Sequence, residues 1–168
     1  MKYCYFQTHL ITSWNNTISP IFLRIARIKD RDKDIVTGNY KGAYLRMYHV
    51  SIQTHFSAAH HLRNYNGQCE NLHGHNWKVE VTVSAEQLDE AGMAIDFTIL
   101  KQKTTALIKQ LDHHNLNDIA PFTTINPSSE NIAAYLYALL AEALKDYRVK
   151  LTTVSVWESE TSKASYTP

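Results

Sequence analysis

The segment from Met47 to His60 alternates apolar and polar residues, as a half-buried β-strand does. Successive side chains of a strand point to opposite faces, so residues of one phase share a face. One phase contains Tyr48, Val50, Ile52, Phe56, Ala58 and His60. His60 is therefore predicted on the buried face, whereas its neighbour His61 points the other way.

A second alternating segment begins at His73, after a polar loop that contains the turn signal Asn66-Gly67. Its residues of one phase are His73, His75, Trp77, Val79, Val81 and Val83. The residues between them are mostly polar, so this strand is predicted to place His73 and His75 on the same buried face as its valines.

Two segments with apolar residues at helical spacing come next. The first runs from Phe97 to near Leu111 and has Asp96 as its predicted capping residue. The second, NPSSENIAAYLYALLAEALKDY, has Ser128 as its predicted cap and Glu130 in its first turn.

The last strand is predicted in VKLTTVSVWESE, where Val154, Val156 and Glu158 are in phase, and a short strand is predicted at ASYT. The order strand, strand, helix, helix, strand indicates an α+β fold with an antiparallel sheet.

The composition is that of one globular domain, with 44% hydrophobic and 20% charged residues. A net charge of +1 gives no whole-chain signal for nucleic acid, and no apolar run is long enough for a membrane helix. The chain has only two cysteines, Cys4 and Cys69, so a reducing cytosol is expected rather than a disulfide framework.

Residues 1–46 differ from the rest of the chain, because they carry 8 Lys and Arg against 3 Asp and Glu and show no sustained period. We expect a single domain over residues 47–168. The preceding residues are expected to be a mis-assigned start, a poorly ordered appendage or an extension packed on the domain. N-terminal mass spectrometry of the natively expressed protein tests the first alternative, which retention of Met1 would contradict.

The three histidines of the buried face have two interpretations. One is a set of core histidines. The other is a metal site: if the two strands pair as a hairpin, His60 meets His73 and His75, and three imidazoles with one open position are a catalytic zinc arrangement. Cys69 either closes that site as a fourth, structural ligand or is a reactive thiol near the metal, which we favour.

Two further groups of titratable residues have alternative roles. Asp112 and His113 in LDHHNLND are either a solvated helix end or a carboxylate that orients a proton-transferring imidazole. Glu158 continues an apolar stripe, so it either forms a salt bridge or accepts adjacent N–H groups of a planar ring of the guanine or pterin type. Glu130 is primarily a helix-dipole partner that is placed to help hold the same ring.

Six short segments occur in a set order: FSAAHHL, CENLHGH, GMAIDF, LDHHNLND, NPSSEN and VWES. In this order and spacing they resemble the 6-pyruvoyl-tetrahydropterin synthase family, from Met47 to about Tyr166. The form Cys-x-x-x-His-Gly-His is most similar to the bacterial branch, 6-carboxy-tetrahydropterin synthase of the queuosine pathway. His61 departs from the arginine that is common at this position in the family.

The resemblance implies a tunnelling fold, in which a four-stranded antiparallel sheet with two helices on one face assembles into a barrel, typically a homohexamer with active sites between subunits. It also implies roles for seven residues: His60, His73 and His75 as zinc ligands, Cys69, Asp112 and His113 in proton transfer, and Glu158 as the pterin anchor.

The implied reaction converts 7,8-dihydroneopterin triphosphate to 6-carboxy-5,6,7,8-tetrahydropterin with release of acetaldehyde and triphosphate. The alternatives are a 6-pyruvoyl-tetrahydropterin synthase or a sepiapterin-acting relative, and a non-catalytic zinc-stabilised binding module in which Cys69 joins the three histidines as a ligand.

Overall fold

The computed structural model describes residues 47–168, so the expectations for residues 1–46 lie outside the described part of the chain. The regular elements, in chain order, are β1 Tyr48–His60, β2 His73–Ala85, α1 Phe97–Ile108, α2 Ser129–Ala143, β3 Lys150–Trp157 and β4 Lys163–Tyr166. Two single-turn 3-10 helices, Gln68–Glu70 and Leu116–Asp118, lie in the connecting loops.

The four strands form one antiparallel sheet in the order β1-β2-β3-β4. Each strand therefore pairs with the strand that follows it in the chain. Both helices lie in the connection between β2 and β3. The predicted α+β class, the antiparallel sheet and the short strand at ASYT are confirmed.

Both helices begin at the predicted caps. The Asp96 carboxylate accepts a hydrogen bond from the Thr98 amide at 2.7 Å, and the Ser128 hydroxyl accepts from the Asn131 amide at 3.4 Å. Each cap satisfies an amide that the first turn of a helix leaves without a partner. The first helix is shorter than predicted: it ends at Ile108, and the buried Leu111 lies in the turn that follows.

The core lies between one face of the sheet and the two helices. The strands contribute Ile52, Phe56, Trp77, Val79, Val81, Val154 and Val156, and the helices contribute Leu100, Ile108, Ile132, Leu136 and Leu140. The alternation read from β1 and β2 is thus confirmed, because the in-phase residues from Ile52 onward are those the helices cover. Burial of this apolar surface is the main stabilising contribution to the fold.

The opposite face of the sheet carries polar side chains that pair across strands. Gln53 donates to Glu80 at 2.7 Å, and the hydroxyls of Ser155 and Ser165 lie 2.7 Å apart. At the edge of β1, residues 113–115 add a short parallel bridge, in which the His113 amide donates to the Ser57 carbonyl. Within residues 47–168, neither helix has the length and apolar character needed to cross a bilayer.

Candidate metal centre and proton-transfer residues

Three histidines meet where β1 ends and β2 begins. The antiparallel register pairs His60 with His73 and Ala58 with His75. Because residues two apart on a strand share a face, His73 and His75 both project toward the side from which His60 comes. The sequence pattern and the hairpin register together bring the three imidazoles to one point.

The distances between the rings are short. The centroids are separated by 4.5 Å for His60 and His73, 5.2 Å for His60 and His75, and 4.9 Å for His73 and His75. Glu158, just after the end of β3, completes the group: one possible ligand atom from each of the four residues lies within 4.8 Å of the other three. We call these four residues the histidine cluster.

Hydrogen bonds determine which ring nitrogen faces the centre. His60 Nδ1 donates to the Pro127 carbonyl at 2.7 Å, and His73 Nδ1 donates to the Asn71 carbonyl at 2.7 Å. A carbonyl oxygen only accepts, so each Nδ1 carries the proton and each Nε2 has a free lone pair. This is the outer hydrogen bond that metal-ligating histidines commonly make.

Two buried nitrogens of the cluster have no hydrogen-bond partner, His60 Nε2 and His75 Nε2. A buried polar atom without a partner is costly, and natural proteins rarely keep one without a functional reason. Imidazole nitrogens in this arrangement match the donor set that zinc prefers, so the cluster fits a metal ion.

Trp77 packs against the rings of His60 and His75 on the core side of the cluster. It is fully buried, its indole N–H donates to the Ala58 carbonyl at 3.2 Å, and its ring meets those of His60 and His75 edge-on at 4.9 and 5.1 Å. Burial lowers the pKa of His60 and of His75 below the ordinary value of 6.5. Both imidazoles are therefore neutral at neutral pH, the form that binds a metal.

The chain immediately after β1 is held by two asparagine side chains. The Asn117 amide group accepts from the His61 N–H at 2.9 Å and donates to the His61 carbonyl at 3.0 Å. Asn126 makes the same pair of bonds with Arg63, at 2.8 and 3.0 Å. Each amide thus bonds both backbone groups of one residue, as a neighbouring strand would, and fixes the path of the chain into the turn at Arg63 and Asn64.

Asp112 and His113 lie in the turn after α1. Asp112 Oδ1 accepts from the Ser57 amide at 2.8 Å and lies 2.9 Å from His113 Nδ1. These hydrogen bonds, led by that from Ser57, lower the pKa of Asp112 below its ordinary value of 3.8. His113 adopts a left-handed backbone conformation with φ of 61°, which turns the chain toward the edge of β1.

The structure does not bring every predicted site residue into the cluster. The His113 side chain is 79% exposed; with His75 it lines an open cleft of about 510 Å³ beside the cluster. Cys69 is half-buried in the 3-10 helix of the loop between His60 and His73, and its thiol is not among the converging atoms. Glu130 is exposed in the first turn of α2.

Several residues that support the site were not identified from the sequence. They are Ser57, Asn71, Pro127 and Ser129, with the amide side chains of Asn117 and Asn126. Ser57, Asn71 and Pro127 act through a backbone group, which any residue type supplies, so no residue pattern marks them. The two asparagines carry the only available signal, since both stand in loops beside segments already singled out.

Comparisons with known proteins agree with this architecture. A family model described as 6-pyruvoyl tetrahydropterin synthase matches residues 49–168. The 6-carboxy-5,6,7,8-tetrahydropterin synthase of Synechocystis sp. is 40% identical over 116 residues, which cover 66% of this chain and 86% of that relative. The dihydroneopterin monophosphate aldolase of Pyrococcus furiosus is 38% identical over 103 residues, covering 61% and 82%.

A solved structure has the same fold. The 6-pyruvoyl tetrahydropterin synthase of Caenorhabditis elegans aligns with a TM-score of 0.67 at 28% identity, over 74% of this chain and 97% of that one.

Proposed function

Because the chain belongs to the 6-pyruvoyl tetrahydropterin synthase family, we propose that it is a zinc-dependent lyase acting on 7,8-dihydroneopterin triphosphate. The products are 6-carboxy-5,6,7,8-tetrahydropterin, acetaldehyde and triphosphate, and the role is in queuosine biosynthesis. The observation that carries the proposal is the convergence of three imidazoles, two of which have a buried nitrogen without a partner. The chain that contains them is 40% identical to the 6-carboxy-5,6,7,8-tetrahydropterin synthase of Synechocystis sp..

His60, His73 and His75 hold the metal in this proposal. Zinc, when bound, acts as a Lewis acid that acidifies the side-chain hydroxyls of the substrate and as a template that orients them. The histidines contribute rigidity, because two of them are fixed by carbonyl hydrogen bonds and all three lie at strand ends.

Cys69, Asp112 and His113 are the proposed proton-transfer residues. Asp112 holds the Nδ1 side of the His113 ring and leaves Nε2 to accept or deliver a proton. Cys69 removes a second proton as a thiolate, the basic form of a cysteine side chain. It lies in the loop between His60 and His73, two of the proposed metal ligands.

Glu158 is the proposed anchor of the pterin ring. A carboxylate accepts the two adjacent N–H groups of such a ring with both oxygens, as it does those of an arginine side chain. Ser129 donates to Glu158 Oε2 at 3.1 Å and steadies the carboxylate. Glu130, next in sequence, is the second proposed contact to the ring.

We further propose that the protein acts as a homohexamer in the reducing cytosol, with each active site between two subunits. The His113 side chain is exposed on one protomer, and β4 and the part of β1 before Ser57 are sheet edges that residues 113–115 leave uncovered. A neighbouring subunit that pairs at such an edge covers it and brings its own Asp112 and His113 to the histidine cluster.

Product analysis tests the function. Purified full-length protein, loaded with zinc, is incubated with dihydroneopterin triphosphate; we expect acetaldehyde, triphosphate and the 6-carboxy product in equal amounts. A pyruvoyl product without acetaldehyde would instead assign the activity named for the Caenorhabditis elegans relative. Metal-free protein is the control.

Replacement of Cys69 separates the enzyme from the binding module. If the thiol transfers protons, Cys69→Ala retains zinc and loses turnover. If the thiol is a structural ligand, the same variant loses zinc and unfolds. The first outcome is expected because the thiol stands outside the converging group.

A further inference from the structure

We propose that the Glu158 carboxylate is the fourth metal ligand of the substrate-free protein. The inference rests on the proposed zinc site but not on the reaction assigned to it. It gives one residue two alternative partners, the metal before substrate binds and the pterin ring afterwards.

The geometry of Glu158 and His75 is that of two ligands of one ion. Glu158 Oε1 lies 3.3 Å from His75 Nε2, yet that nitrogen has no hydrogen-bond partner. Two ligand atoms that each lie 2.0–2.2 Å from a tetrahedral zinc ion are about 3.4 Å apart. The separation therefore matches neighbouring coordination positions, and both atoms belong to the group of four that lie within 4.8 Å of one another.

The carboxylate is also held so that one oxygen remains free. Ser129 Oγ donates to Oε2, and the Glu158 amide donates to the Ser162 carbonyl at 3.1 Å, which closes the turn after β3. Oε1 receives no hydrogen bond from either and faces the three imidazoles. Within residues 47–168, the histidine cluster, whose ligand atoms lie close enough together to bind one metal ion, includes Glu158 and not Cys69.

A fourth ligand from the protein has a functional consequence. One carboxylate cannot bind the metal and also accept two ring N–H groups, so ring binding frees a coordination position. The site thus opens for the substrate hydroxyls only when the correct ring is present, and zinc and a ring without hydroxyls compete for Glu158.

Cobalt(II) substitution tests this without turnover, because cobalt(II) occupies zinc sites and its visible spectrum reports the coordination. Metal-free full-length protein is titrated with cobalt(II), then with azide, which binds only where a coordination position is accessible. The variants are Glu158→Gln and Glu158→Ala. Glu160→Gln, the same chemical change at an exposed residue two positions along, is the matched control.

The azide response decides the outcome. We expect little spectral change with azide for the wild type and Glu160→Gln, and a saturable change for both Glu158 variants. Their cobalt affinity should fall about 100-fold or more, at or above the 10–100-fold loss usual for an outer partner of a ligand. An azide response equal in the wild type and the Glu158 variants would overturn the proposal, even if affinity falls.

Melting temperatures of the metal-free proteins, equal within error, establish that the variants fold. The two proposals fail separately. A wild type that excludes azide but forms no pterin product retains the fourth ligand and loses the proposed function. A wild type that forms the pterin product but whose cobalt responds to azide retains the proposed function and loses the fourth ligand.

Discussion

The histidine cluster and the Asp112–His113 pair contrast in how the fold supports them. The cluster lies at the ends of paired strands, with His60 1% exposed and Trp77 packed beneath it. The pair lies in a turn at the sheet edge, with the His113 side chain 79% exposed. Both regions contain histidine next to a carboxylate, but within residues 47–168 the first is the more buried, with the His75 and Glu158 side chains 24% and 33% exposed.

The difference is consistent with the two roles proposed for these regions. A metal site needs several ligands fixed within a few tenths of an ångström, which paired strands and a packed core provide. A proton-transfer residue must meet substrate and change its charge, which an exposed position permits. The pair then becomes enclosed only when a second surface covers it, as the proposed hexamer requires.

Loss of a cluster ligand should have the largest effect. His73→Ala removes one of three imidazoles and should abolish zinc retention on dialysis, and with it all turnover. Metal content per chain, measured by mass spectrometry, is the readout. His55→Ala, an exposed histidine on β1 outside the cluster, is the control and should retain full metal. Zinc binding at wild-type affinity in His73→Ala would contradict the proposed site.

Loss of the pair should lower turnover without lowering metal content. His113→Ala removes the proposed proton-transfer group, so kcat should fall by about 10²–10⁴-fold while zinc remains stoichiometric. His114→Ala, whose ring bonds only the carbonyl of the same turn, is the control. If His113→Ala lost zinc as well as turnover, the Asp112–His113 pair would belong to the metal site, and the two regions would not have separate roles.

A mixed oligomer tests whether the two regions come from different chains. Alone, His75→Ala should be inactive, and His113→Ala should retain only its residual activity. Co-expressed, they should regain part of the activity, because some interfaces combine an intact cluster with an intact pair. No recovery in co-purified mixed oligomers would mean that both regions act within one chain.

Removal of the tryptophan beneath the cluster should destabilise the fold moderately. Trp77→Phe leaves the Ala58 carbonyl without its indole donor, at a cost of about 1–3 kcal/mol in the free energy of unfolding. Urea denaturation of the metal-free protein measures it. Tyr65→Phe, at an exposed aromatic position in the loop, should change stability little. Equal stabilities would show that the indole hydrogen bond contributes nothing.

The smallest effect is expected from the acid titration of Asp112. Its pKa lies below 3.8 in the folded protein, so the ionised carboxylate stabilises the fold above that value. The contribution disappears as pH falls through 3.8 and then through the folded-state pKa. The melting-temperature difference between wild type and Asp112→Asn should therefore be largest at neutral pH and shrink below pH 4. A difference that grows on acidification would contradict the pKa direction.

Much of the fold was predictable because it depends on local patterns. Alternation placed β1 and β2, and the capping residues Asp96 and Ser128 marked both helix starts. The end of α1 was less predictable, since Leu111 continues the apolar spacing after the helix has ended. A buried side chain satisfies the pattern equally well in a turn.

The sequence identified the side chains of the histidine cluster, but not the backbone groups that orient them by hydrogen bonds. The phase of β1 and β2, and that of β3 continued one residue past its end, identified His60, His73, His75 and Glu158 as sharing the inward face. The carbonyl of Pro127, which sets the ring orientation of His60, arises from a loop 67 residues away. Any residue has a carbonyl, so only the folded path of the chain selects this one.

The sequence alone determined which residues share a face, since the two-residue period of a strand depends on backbone geometry that every chain obeys. The tertiary structure decided which faces meet, at what distance and with which outer partners. Those depend on long-range register and loop paths, as when β3 delivers Glu158 to within 3.3 Å of His75. Periodicity is local, whereas the convergence of atoms from segments far apart in the sequence is a property of the packed fold.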